Sequence, residues 1–110
     1  MEITQENSAD ILIIKLDGRL DITTTKQLEA IISSALDNAQ KKILVDCTNL
    51  EYISSAGLRT FLSAAKNSKK IDGVITLCCL NKNVKQIFEI SGFTSIFDIF
   101  DSVDNALKGM

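Results

Sequence analysis

Lys41-Lys42-Ile43-Leu44-Val45-Asp46-Cys47-Thr48-Asn49-Leu50-Glu51-Tyr52-Ile53-Ser54-Ser55-Ala56-Gly57-Leu58-Arg59 is the stretch that decides the fold. Ile43 to Asp46 is a short apolar run of the kind that lies inside a parallel sheet covered by helices. Beyond Ser54-Ser55-Ala56-Gly57, apolar residues recur at Leu58, Phe61, Leu62 and Ala65, one face of an amphipathic helix with serine at its start. The stretch therefore reads as a strand end, a loop over Cys47–Ile53 and a helix start. Strand-helix-strand units of this length imply parallel pairs joined by right-handed crossovers.

Upstream, Ile11-Leu12-Ile13-Ile14-Lys15-Leu16 is rich in β-branched residues and runs into Asp17-Gly18, a turn signal, so it reads as a strand. Residues 2–6 make a weaker strand candidate, its hairpin partner. Thr24 and Gln27 have the spacing of a capping box. The apolar stripe Leu28, Ile31, Ile32, Ala35, Leu36 and Ala39 that follows predicts a helix. Downstream, Asp72-Gly73 is a turn and Val74–Cys78 a strand. Asn81 or Asn83 can cap a helix carrying Val84, Ile87 and Phe88, and Gly92 suits the left-handed position that ends one. A short strand near Ile96–Phe100 and a helical segment over Ser102–Leu107 follow. The expected order, β(β)αβαβαβα, is an α/β fold: a small, mixed, mostly parallel sheet with helices packed on it.

With 110 residues, 45% of them apolar, the chain is expected to be one domain, 1–110, able to build a core without disulfides or a structural metal. A net charge of −2, with Arg19 and Arg59 the only arginines, argues against nucleic acid as a partner. Lys66, Lys69 and Lys70 form a modest basic cluster that a solvated helix face explains. The absence of histidine removes a Ser-His-Asp triad and most zinc or haem sites, so no metal and no cofactor are expected. A hydrolase using Ser55 would need a lysine base, and neither Lys26 nor Lys66 has a spacing that suggests one. Neither phosphate-binding glycine motif of nucleotide enzymes occurs. The three cysteines are an odd number. Cys78 and Cys79 are adjacent, so in a strand they would point to opposite faces, and all three read as small buried hydrophobes in a reducing compartment. No apolar run approaches the ~20 residues that span a bilayer, and the N-terminus lacks signal-peptide character, so the expected location is the cytoplasm, with no membrane partner.

Two hydroxyls at a helix start leave two readings open. One serine can simply cap the helix. Alternatively Ser54 or Ser55 can carry a phosphate, since free amide donors and the positive end of the macrodipole stabilise an anion there by ~0.3–1 kcal/mol.

Tyr52-Ile53-Ser54-Ser55-Ala56-Gly57-Leu58-Arg59, preceded by Asp46 at a strand end and by Gly18-Arg19-Leu20-Asp21, resembles the bacterial anti-sigma factor antagonists, the free-standing STAS-domain proteins. Val84-Lys85-Gln86-Ile87-Phe88-Glu89-Ile90-Ser91-Gly92-Phe93 looks like that family's late helix and following turn. The resemblance implies a STAS fold, no enzymatic activity and partner switching. The unmodified protein binds an anti-sigma factor that is also a serine kinase of the histidine-kinase-like ATPase fold, phosphorylation ends the binding, and a PP2C-type phosphatase restores it.

The family's Asp-Ser-Ser/Thr-Gly motif falls on this chain with the phosphoacceptor at Ser55 and the motif glycine at Gly57. Two positions depart: Ser54 replaces the acidic residue, which makes it the alternative acceptor, and Ala56 replaces the second hydroxyl. Asp21 and Asp46 match acidic positions that the family sets near the acceptor. Ile53, Leu58, Thr23 and Thr24 are expected around it as a docking patch with Ala56, while Arg59 either reaches back to a phosphate or stays solvated. The competing reading of the same fold is a constitutive scaffold or transport-complex subunit.

Overall fold

In the computed structural model, which describes residues 1–110, the elements follow as β1 (Glu2–Ser8), β2 (Ile11–Leu20), α1 (Thr25–Asp37), β3 (Lys42–Ile53), α2 (Ser55–Lys69), β4 (Val74–Cys78), α3 (Lys82–Ile90), β5 (Ile99–Phe100) and α4 (Val103–Gly109). A 3-10 turn over Phe93–Ser95 precedes β5. The five strands lie side by side in chain order, β1 antiparallel to β2 and every later pair parallel. From β2 to β5 each crossover advances one strand in the same direction, so right-handed connections put α1, α2 and α3 on one face.

The packing follows from that topology. Leu28 and Ile32 of α1, Phe61 of α2 and Val84 and Phe88 of α3 share one core with Ile14, Leu16, Ile43, Val45 and Leu77. α4 covers the opposite face, where Ala106 meets Ile11, Ile13, Leu44 and Cys78. Because strand side chains alternate, Ile43 and Val45 serve the first core and Leu44 the second, all of them fully buried. Phe61 lies edge-on to Phe88 and Phe97, with ring centroids 5.8 and 6.1 Å apart. No helix is long and apolar enough to cross a membrane.

Several local readings of the sequence change in the structure. Asp17-Gly18 is not a turn: β2 runs through it to Leu20, with Gly18 at φ +119°, a conformation that suits glycine. The register against β3 slips between Lys15 and Asp17 and again between Gly18 and Arg19, each time leaving an extra residue on β3. Those irregularities let both strands continue. Accordingly β3 does not stop at Asp46; it runs on to Ile53, with Asn49, Leu50, Tyr52 and Ile53 pairing with the extended β2 instead of looping.

Thr24 and Gln27 form no capping box. Thr24 Oγ1 donates to Arg19 O at 2.8 Å and accepts from Asp21 N at 2.9 Å, so it closes the turn before α1 instead. Ala39, at φ +61°, lies beyond the helix whose stripe it was expected to join. Asn81 is the cap of α3, accepting from Val84 N at 2.8 Å, and Gly92 is left-handed just past the helix. Cys78 ends β4, and Cys79 follows at φ +64°, outside the strand alternation that would have separated their side chains.

Candidate functional site

The extension of β2 and β3 carries Leu20 and Ile53, which are register partners, to the start of α2. Ser54 is the single residue between β3 and α2. Its backbone is extended at φ −93° and ψ 174°, its N–H donates to Leu20 O at 2.9 Å, and its Oγ accepts from Gly57 N at 3.2 Å. Ser54 is thus the N-cap, half-buried, with its hydroxyl engaged by the helix it opens. Ser55 is the first helical residue and is exposed. As the opening residues of the helix, Ser55 and Ala56 have no carbonyl four residues back to receive their N–H groups. The first turn of α2 also contains no acidic residue.

Gly57 fixes the height of this turn over the sheet. A Cβ there would lie 2.8 Å from Ile53 Cγ1, 3.0 Å from Leu20 O and 3.1 Å from Leu20 Cδ2. Leu20 O is backbone and cannot swing away. Gly57→Ala is therefore expected to destabilise the fold by roughly 1–3 kcal/mol, although alanine is the better helix former by ~1 kcal/mol. Urea unfolding checks this, and a midpoint at or above that of the unsubstituted chain would mean that the helix start is not clamped.

The neighbouring turn, Asp21 to Thr24, is held by short-range bonds. Asp21 Oδ1 accepts from Thr23 Oγ1 at 2.6 Å and from Thr23 N at 2.9 Å, and Asp21 O accepts from Thr24 N and Thr25 N. The Thr23 hydroxyl, and after it the Thr23 N–H, hold the Asp21 carboxyl below the usual carboxylate range. With the folded pKa lowered, the contribution of this turn is complete above that usual range and is lost as the pH falls through the lowered value.

Ile22, at the tip of the turn, is 73% exposed. Sequence reading passed over it, though an isoleucine off the helical stripe and just ahead of the helix was a usable signal. Beside it, at the ends of the same strands, the Arg19 guanidinium sits 4.4 Å from the Tyr52 ring centroid, a cation–π contact between register partners that the sequence pattern does not reveal.

The structure thus brings Asp21, Thr23, Thr24, Ser54, Ser55, Ala56 and Gly57 to one end of the sheet. Thr23 and Ser55 are exposed, while Asp21, Thr24, Ser54 and Ala56 are half-buried. Ile53, expected in an exposed patch, is only 2% exposed, because its side chain packs beneath Gly57. Leu58 is half-buried against the main core. Arg59 is exposed and in no ion pair; the two ion pairs, Lys15–Glu6 and Lys42–Asp10, lie elsewhere. Lys66 and Lys69 sit in the last turn of α2, where they complement the helix dipole.

Asp46 does not join this group. It pairs with Lys15, five β2 rows from the Leu20–Ile53 pair, roughly 17 Å away at ~3.3 Å per residue. The strand that the sequence suggested would end at Asp46 runs on, and this separates it from the serines. Asp46 is 8% exposed and its Oδ1 accepts from Thr48 N and Thr48 Oγ1.

The STAS domain family profile matches residues 2–106. A Bordetella bronchiseptica protein named as an anti-sigma factor antagonist, BtrV, is 38% identical over 106 residues, 96% of this chain and 91% of that protein. Among solved structures, a Thermotoga maritima protein described as an anti-sigma factor antagonist superimposes with a TM-score of 0.92 at 18% identity, covering 97% of this chain and 92% of that one. The Bacillus cell fate determinant SpoIIAA in its phosphorylated form superimposes with a TM-score of 0.78 at 20% identity, over 97% of each chain. At such identities the superpositions speak for the fold, a five-stranded mixed sheet with four helices. With the profile spanning nearly the whole length and a full-length relative at 38% identity, this chain belongs to the STAS domain family, among the anti-sigma factor antagonists.

Proposed function

We propose that the unmodified chain binds an anti-sigma factor that is also a serine kinase of the histidine-kinase-like ATPase fold, and that phosphorylation of Ser55 ends the binding. A PP2C-type phosphatase then resets the switch. The chain acts by binding, in the cytoplasm with its kinase, and catalyses nothing itself. The observation that carries this reading is the contrast between the two serines. Ser54 Oγ is engaged by Gly57 N–H, whereas Ser55 stands exposed on the first turn of the helix.

The physical mechanism needs no rearrangement. A phosphate adds about −1.5 to −2 charges, taking the chain from −2 to about −4. The first turn of α2 accommodates that charge in the free protein through its amide donors and dipole, worth ~0.3–1 kcal/mol. A bound partner would instead have to bury the dianion. Desolvating it without a matched cation costs several kcal/mol, and each ~1.4 kcal/mol is tenfold in affinity. The docking face on this reading comprises Thr23, Thr24, Ala56 and the exposed Ile22, with Asp21 setting the shape of the turn.

Incubation with the cognate kinase and ATP, followed by fragmentation mass spectrometry, tests the assignment. Phosphate on Ser55 is the expected result. Phosphate confined to other residues would overturn the site, and modification of Ser54 alone would transfer the role to the capping hydroxyl. A partner retained equally by modified and unmodified chain would favour a constitutive scaffold.

A further inference from the structure

Asp46 and Cys78 form the last register pair of the β3–β4 ladder, at the carboxyl end of β4. Cys79 comes next, and its left-handed backbone keeps its side chain beside the pair rather than on the opposite face. One carboxylate oxygen and the two sulfurs all lie within 4.8 Å of one another, and Cys78 Sγ is 4.0 Å from Asp46 Oδ1. We propose that Asp46, Cys78 and Cys79 form a three-ligand site for a thiophilic divalent cation, zinc, distinct from the Ser55 face.

Charge supports this assignment. Asp46 is a nearly buried carboxylate in no ion pair; the adjacent cation on β2, Lys15, makes its direct contact with Glu6 at 2.9 Å and acts on Asp46 only through its longer-range field. Buried charges are ordinarily paired or bound to metal. Two thiolates and one carboxylate suit zinc, which leaves a fourth tetrahedral position for water or an outside ligand. At Zn–S near 2.3 Å and Zn–O near 2.1 Å, tetrahedral ligand atoms are about 3.5–3.8 Å apart, so the three groups need to close by only about 1 Å.

The surroundings are those of a metal centre. Thr48 N–H and Oγ1 both donate to Asp46 Oδ1, orienting the carboxylate, while Oδ2 receives no hydrogen bond from the protein. Phe100, Ala106 and Leu107 pack about the second core to which Cys78 and Cys79 belong. Cys79 is half-exposed, which leaves the ion a path in. Binding exchanges the cation for the two thiol hydrogens, which leave as protons, with no change of oxidation state.

The test uses the full chain under reducing conditions, with Co2+ as spectroscopic probe and Zn2+ as competitor. The expected result is a thiolate-to-cobalt charge-transfer band that saturates at one ion per chain and is abolished by zinc. In native mass spectrometry the zinc adduct should weigh one zinc less two hydrogens more than the free chain. Cys79→Ala should abolish the band, and Asp46→Asn, which leaves both thiols in place, should weaken binding by at least about tenfold. Cys47→Ala should keep it, because Cys47 packs in the other core. Circular dichroism verifies that each variant is folded. Absence of the band in the unsubstituted chain, or full affinity in folded Asp46→Asn, would overturn the proposal.

Discussion

Ser55→Asp is expected to weaken binding of the kinase partner by more than about tenfold, whereas Ser55→Ala binds like the unsubstituted chain and accepts no phosphate. The size follows from where the side chain stands. Ser55 is exposed on the first turn of α2, so a charge there costs the free protein little and is even favoured by the helix dipole. The whole penalty therefore appears in the complex, where the charge must give up water. A carboxylate carries about one charge against up to two for phosphate, so Ser55→Asp is the weaker mimic and sets a lower bound on the switch. Titration calorimetry of the two variants decides. Equal affinities would remove desolvation of the added charge as the mechanism. A parallel loss in Ser55→Ala would mean that the hydroxyl itself is part of the contact.

Phe61→Ala carries the largest expected effect on stability, a loss of roughly 3–5 kcal/mol. Phe61 is completely buried and is the ring on which α2 is anchored, edge-on to Phe88 of α3 and to Phe97 before β5. Its removal opens a void between three elements that come from distant parts of the chain. Against a total stability of about 5–15 kcal/mol, the loss is enough to leave the variant marginal. Urea unfolding measures it. A loss below about 1 kcal/mol would show that Phe88 and Phe97 collapse into the space, and that the aromatic group does not brace the helix.

How much could be read from the sequence varied with the kind of signal. The buried strands Ile11–Ile14 and Ile43–Val45 and the stripe Leu28, Ile32 and Leu36 were legible because burial imposes a period on residue type. The helix start at Ser54 was legible as well, since capping depends on local chemistry. What failed was decided by pairing across the sheet. Gly18 has the composition of a turn, but its left-handed φ serves a register slip against β3, and only the neighbouring strand makes that conformation useful. The same pairing lengthens β3, which buries Ile53 under Gly57 and moves Asp46 away from the serines. Thr24 had the spacing of a capping box, yet Arg19 O, at the extended end of β2, claimed its hydroxyl. At the site, the serines and Gly57 were visible in the motif, whereas the exposure of Ile22 and the contact between Arg19 and Tyr52 depend on strands whose length the pattern did not disclose.

The most direct measurement is a titration of the kinase partner with the chain before and after stoichiometric phosphorylation of Ser55, paired with amide NMR spectra of both free forms. Binding should be present before modification and weakened by more than about tenfold after it, with shift changes confined to residues 20–24 and 53–59. Equal affinity of the two forms, or spectral changes spread through the sheet, would contradict a switch that works by placing charge on an otherwise unchanged surface.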